Sequence, residues 1–234
     1  MIMWFAVLAA LAAPTAGSAI AGNQDTLPTL DRLLERYVEA VGGREAISKL
    51  KTRVGEGRLV TDLPTWEPPV HESDAFRIYA RTPGKYLYVH RTESGTDRDA
   101  CDGGACWRVV DGELERDAHY DPRFAWFLDP QGALLMKEYF PAMRVTGSAT
   151  LDGRRVYRVD IDDDESHALY FDAETGLLLR LGYNRTLNDY REVDGVLVPF
   201  RLEISRKGGS STYIFDSIEH NLPLQDSLFN PPRR

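Results

Sequence analysis

The run VDIDDDES sets Asp160, Asp162 and Asp164 at alternate positions, the spacing with which an acidic loop begins to wrap a calcium ion. Such a loop also needs a glycine at its sixth position and a bidentate carboxylate at its twelfth. Glu165 and Phe171 stand there instead. The run therefore reads as the solvated tip of a hairpin. His71, His90, His119, His167 and His220 are widely spaced, and the chain holds neither an H-E-x-x-H helix nor a G-x-S-x-G elbow. Glu203 with Glu219 or Asp216 would be an acid and base pair only if they converged, and on strands they read as solvent-facing residues. No phosphate loop or dinucleotide fingerprint occurs, so the residues point to no catalytic site, no metal and no cofactor.

Cys101 and Cys106 are the two cysteines and bracket an Asp-Gly-Gly turn in CDGGAC. In an oxidising compartment they would close a short disulfide across a hairpin, worth roughly 2 kcal/mol on chain-entropy grounds. Two free thiols are the alternative. A metal site lacks a nearby histidine to complete it.

The unusual stretch is apolar. In RFAWFLDPQGALLMKEYF, Arg123 to Phe140, eleven of eighteen residues are apolar or aromatic. Asp121-Pro122 and Asp129-Pro130 are two copies of a helix start signal, predicting two short helices. The first carries Phe124, Phe127 and Leu128 on one stripe, the second Leu135, Met136, Tyr139 and Phe140, with Pro141 as its stop. Trp126 and Leu134 lie off those stripes, so each helix is apolar over a wider arc than one sheet contact uses. About eight large side chains left in water would forgo on the order of 10 kcal/mol, so they must be buried. Plain packing on a sheet, a lid over an apolar ligand and membrane insertion are the three ways to do it.

Those helices need a frame, and the rest of the chain supplies strands. TLDRLLERYVEAVGG spaces Leu30, Leu33, Leu34, Tyr37, Val38 and Val41 helically, with Pro28 at its start and Gly42 as a cap; REAISKL adds a short second helix. From Thr52 the apolar period becomes two, broken by Pro83-Gly84, Asp102-Gly103, Asp111-Gly112, Asp152-Gly153, Asp194-Gly195 and Gly208-Gly209 turns. VLVPFRLEIS is the clearest strand, and Pro199 on its polar face suggests an edge or a bulge. About ten strands of mainly antiparallel sheet follow, a mainly β (α+β) class. A sheet so large curls, and its concave face needs a cover.

The 234 residues carry 28 Lys and Arg against 36 Asp and Glu, a formal charge of −8. That acidity argues against nucleic acid and against adhesion to anionic lipid. Residues 1–21, MIMWFAVLAALAAPTAGSAIA, hold no charged side chain and end in small residues, which predicts an export signal cleaved after Ala21. No other segment approaches the roughly 20 apolar residues of a spanning helix. The expectation is a single exported domain over residues 22–234.

The motifs RYVEAVGGREAISKLKT, DGGACW, YFDAETGLLLRL, DYREVDGVLVPFRLEI and IEHNLPLQDSLFNPP together resemble exported bacterial proteins of the outer-membrane lipoprotein carrier (LolA-like) superfamily. The resemblance covers most of the chain after the leader. It implies an open, strongly curved antiparallel half-barrel whose concave face lies under a few helices, with acyl chains held between. On this basis Trp126, Phe127, Leu135, Met136, Tyr139 and Phe140 are the expected ligand-binding residues, with Trp107 as a further cavity residue. Carriers of this kind also latch lid to sheet through polar groups, for which Arg58, Arg77 and Arg108 are candidates. The implied function is a periplasmic, non-enzymatic carrier or binding protein for a lipid or lipid-modified protein, monomeric and without stable membrane insertion. An envelope sensor or assembly factor that binds another protein is the alternative.

Overall fold

A computed structural model describes residues 27–116, 122–162 and 164–232. The predicted leader, Asp121 and His119 lie outside them. In chain order the elements are α1 Leu30–Ala40, α2 Gly43–Ser48, β1 Thr52–Leu63, β2 Val70–Arg81, β3 Lys85–Arg91, β4 Thr96–Asp102, β5 Cys106–Val110 and β6 Glu113–Arg116. Then come α3 Pro122–Leu128, α4 Gly132–Tyr139, β7 Met143–Leu151, β8 Arg154–Ile161, β9 Asp164–Asp172 and β10 Leu178–Leu181. The chain continues with β11 Arg185–Val193, β12 Val196–Arg206, β13 Gly209–His220 and a 3-10 turn at Asp226–Phe229.

All thirteen described strands form one curved, unclosed antiparallel sheet, ordered β6-β5-β4-β3-β2-β1-β13-β12-β11-β10-β9-β8-β7. The described strands number thirteen against the expected ten or so, and two of them, β6 and β7, give little sequence signal for a physical reason. β6 is four residues long, and β7 is an edge strand whose alternation of Met143, Val145, Gly147, Ala149 and Leu151 with polar residues is weakened by the small side chains at Gly147 and Ala149. The hairpins turn where Asp-Gly pairs predict: Asp111-Gly112, Asp152-Gly153 and Asp194-Gly195 each place both residues at positive φ, as a tight two-residue turn requires. The Cys101–Cys106 disulfide is formed, joining cross-strand partners of β4 and β5.

β12 is a central strand, so Pro199 is not at a sheet edge. Its neighbourhood nevertheless behaves as one, because the β12–β13 ladder begins only at Arg201 and Pro199 pairs with Tyr190 of β11 alone. The missing N–H costs no ladder bond there.

Both faces of the sheet are covered. The meander leaves one edge at β6 and resumes at the other with β7, so the chain must cross the concavity between them; α3 and α4 lie on that crossing. With α1 and α2 they bury Phe76, Ile78, Ala80, Tyr86, Leu169, Phe171, Leu187, Val198 and Phe215 of the inner face. On the outer face Leu87, Ala100, Trp107 and Val109 pack under the C-terminal strap, where Phe229 is completely buried. Thr29 caps α1 by accepting the Arg32 N–H, which leaves Pro28 outside the helix, and Gly42 follows its C-terminus at φ 123.

Candidate functional site

α3 and α4 meet at a linker that is tied to the sheet and to α2. Asp129 is buried: one oxygen accepts the Gln131 N–H at 2.8 Å, the other the Gly84 N–H at 3.0 Å and the Tyr139 hydroxyl at 2.9 Å. The Gln131 amide donates to the carbonyls of Ser48 and Leu50. Asp129 therefore does not cap α4, which starts only at Gly132 with Gln131 before it. That start is crowded. A Cβ on Gly132 would sit 2.4 Å from the Trp126 carbonyl oxygen, and the Trp126 indole donates to Gly132 O at 2.8 Å.

From beneath, Arg53 of β1 reaches the C-terminal end of α3, donating to the carbonyls of Phe127 and Leu128 at 3.4 and 3.5 Å. A cation suits that end, where the carbonyls of the last turn lack helical partners. Its Nε donates to His220 Nε2 at 3.2 Å, so the ring proton is on Nδ1 and goes to Asp194 Oδ2 at 3.1 Å. Burial, then the charge of Arg53, hold the imidazole down at about 4 against the pull of Asp194. Burial lowers Arg53 to about 10, opposed by Asp129 and Tyr37, so at neutral pH it is charged and His220 is not. The chain Asp194–His220–Arg53–helix end runs unbroken from a hairpin turn to the lid.

Two cavities flank α3. The larger, of about 190 Å³, lies under its outer part between Phe124, Trp126, Phe127, Phe140 and the sheet residues Leu169, Leu181, Leu202 and Ile204, with His167, Arg185 and Tyr213 also in its wall. The smaller, of about 70 Å³, lies by the linker, between Tyr37, Arg53, Leu128, Pro130 and Val198. Trp126 and Phe127 line both and form the wall they share. Over the larger cavity Phe124 stands edge-on to Tyr86 and Tyr88, and Trp126 edge-on to Phe140.

This fold has solved counterparts. A LolA superfamily protein from Nitrosomonas europaea superposes with TM-score 0.59 at 11% identity, covering 88% of this chain and 99% of that one. The chain has the LolA superfamily fold. A DUF1329 family protein from Desulfovibrio piger matches with TM-score 0.56 at 12% identity over 86% of this chain and 96% of its own. A domain from Vibrio parahaemolyticus described as an outer membrane lipoprotein-sorting protein matches at 0.54 and 10% identity, over 86% and 97%. No family model matches the chain, and no curated protein matches it in sequence. The LolA-like fold is thus shared without close sequence kinship.

Within that fold the sequence-predicted site residues divide. Trp126, Phe127 and Phe140 line the larger cavity. Trp126, placed off the stripe by periodicity, is in fact turned inward and buried. Met136 is buried in the core under α4, Leu135 is half-buried, and Tyr139 spends its hydroxyl on Asp129; none of the three lines either cavity. Trp107 is on the opposite face of the sheet, its indole donating to Phe229 O at 2.8 Å, because β5 places Cys106 inward and its neighbour outward.

The predicted latch arginines also fall elsewhere. Arg58 pairs with Asp216, Arg77 with Glu56 and Arg108 with Asp99, all sheet to sheet. Arg53, not among those three, reaches the end of α3. Its signal was parity, since Arg53 shares a face with Gly55, which packs against Ile78 and Phe215 of the inner core. His167 and Arg185 carry the same signal, two residues from buried Leu169 and Leu187. Asp160, first of the calcium-spaced aspartates, accepts from Arg158 at 2.7 Å. Among the described residues no three His, Cys, Asp or Glu side chains gather as a metal site, and no helix is long and apolar enough to cross a membrane.

Proposed function

We propose that this protein is an exported, non-enzymatic carrier or binding protein for a lipid or lipid-modified polypeptide. The observation that carries the reading is the apolar cavity between the curved sheet and α3–α4, roofed by Trp126, Phe127 and Phe140. Its volume, about 190 Å³, is below the roughly 300–1,000 Å³ of small-molecule pockets, so an acyl chain enters by displacing the roof. The polar ties of the linker and of Arg53 gather at the Asp129 end. At the other end Phe124 and Phe140 rest on aromatic and aliphatic neighbours, and the ion pair of Lys137 with Asp31 of α1 is solvent-exposed and weak. The pair accordingly hinges at Asp129–Gln131 and lifts at its far end.

Uptake is driven by desolvation of the chain, which replaces contacts the roof makes with the sheet when closed. Because one set of apolar contacts substitutes for the other, the net affinity stays modest and the ligand can be handed on. In this reading the leader is removed after Ala21 and residues 22–234 act as one monomeric domain in the periplasm.

The test is to purify the protein from a host that exports it and examine organic extracts and native mass spectra. A co-purifying lipid, lost on delipidation and regained on adding it back, is the expected result. Ligand-free protein that also leaves a neutral apolar dye unbound would sink the proposal. Recovery of one stoichiometric protein partner that survives delipidation would favour an envelope sensor or assembly factor instead.

A further inference from the structure

The larger cavity is apolar except at one side, where Arg185 stands at the start of β11. Its ladder partners Leu181 and Ile204 line the same cavity, so its side chain belongs to the inner face of the sheet. Arg185 is half-buried and makes no hydrogen bond or ion pair with any described residue. In a chain with 36 acidic side chains against 28 basic ones this is conspicuous. Arg191 on the same strand and Arg201 and Arg206 on the adjoining β12 are engaged, while Arg180 of β10 leaves its Nε without a partner but shares no cavity with Arg185. Asp74, on the β2 side of the same inner face, lies 3.2 Å from His90 Nε2 and is not among the residues of the larger cavity.

A guanidinium partly withdrawn from water beside an apolar wall is incomplete. It has five donors in a planar fork that fits a carboxylate or phosphate. An anion there must belong to a molecule whose remainder is apolar, because the rest of the wall offers little else. Tyr213 and His167 stand in the same wall and add polar atoms to that side.

Resting on the carrier reading, we infer that the larger cavity takes an anionic amphiphile, its chain under α3 and α4 and its carboxylate or phosphate on Arg185. The bland alternative is an arginine that lays its stem on apolar surface and its head in water.

The two are separated by displacing the neutral dye phenylnaphthylamine from the purified protein with dodecanoate and with dodecanol at neutral pH. The chains are equal, so only the head differs. Arg185→Gln is expected to weaken dodecanoate about tenfold and to leave dodecanol unchanged, with Arg185→Lys restoring part of the loss. Thermal unfolding of each variant checks that the fold is intact. If dodecanol displaces the dye and the dodecanoate midpoint ignores Arg185→Gln, the head-group inference is wrong and the carrier reading stands. If neither amphiphile displaces the dye, or the dye does not bind, both are wrong.

Discussion

The sheet has two covers, and each involves a tryptophan indole that donates to a carbonyl at 2.8 Å. The bonds do opposite work. Trp107 belongs to the sheet and Phe229 to the C-terminal strap, so their bond joins cover to sheet. Trp126 and Gly132 both belong to the helical pair, so theirs holds the cover together, and the pair is joined to the rest through Asp129, Gln131 and Arg53 instead. The strap is also tied along its length: Thr52 to Leu222, Arg81 to Leu224, and Arg81 and Lys85 to Asp226. Beneath the helices there is empty apolar space on both sides of Trp126 and Phe127; beneath the strap Phe229 is fully packed. The strap is sealed onto the sheet, whereas the helical pair is tied at its linker by Asp129, Gln131 and Arg53 and stands over unfilled space elsewhere.

The contrast can be attacked most strongly at the strap. Phe229→Ala empties a sealed site and should cost about 3–5 kcal/mol in urea unfolding, while the shortfall in dye binding follows the unfolded fraction alone. A small loss would mean that the strap, too, is a loose cover.

Acid should act next, and on the helical side. His220 is neutral in the fold with its pKa held at about 4, against 6.5 for an unperturbed imidazole, so the unfolded chain binds the proton first as pH falls. Stability fully present above about pH 6.5 is then lost progressively down to about pH 4, by about 3 kcal/mol. Urea midpoints for the parent and His220→Gln across that window check this. Parallel decline of the two would assign the effect to other groups.

Gly132→Ala sharpens the comparison within the lid. Its new methyl meets the Trp126 carbonyl, and the strain should cost about 1–3 kcal/mol and shift the tryptophan fluorescence. Unchanged fluorescence and stability would show that the α3–α4 junction has slack.

The smallest effect on stability is expected from Arg53→Met, since the bonds it makes to α3 are long and each hydrogen bond nets about 0.5–1.5 kcal/mol. Its signature is local: amide exchange should quicken about tenfold over residues 124–136 and stay unchanged over 224–229. Equal quickening in both covers would mean that they are not independently fastened.

Much of this frame is legible from residue order. Asp-Gly pairs mark the hairpins because only a few residue types tolerate two successive positive φ angles. The spacing of Leu33, Leu34, Tyr37 and Val38 marks α1 because all four are buried along one stripe. Edge strand β7 was hard to read, since the apolar side of its alternation falls to Gly147 and Ala149 in its second half, which a strand paired on one side and exposed to water tolerates. Asp129 read as a cap by type and proximity to Pro130, but the Gly84 amide and Tyr139 hydroxyl, remote in sequence, compete for its oxygens.

Periodicity and turn chemistry are local properties, so the sequence alone determined the strand-rich class, the hairpin order and the presence of an apolar helical pair, while the structure chose the disulfide over two free thiols. Which apolar side chains would be consumed by packing and which would border a void was decided only in three dimensions. Met136 and Trp126 are equally greasy and ten residues apart; one fills the core and the other walls a cavity. The choice of Arg53 as the residue under the lid belongs to the same class, for it follows from β13 returning beside β1 and setting His220 next to it. Burial depends on what arrives from elsewhere in the chain, and no short window of residues contains that information.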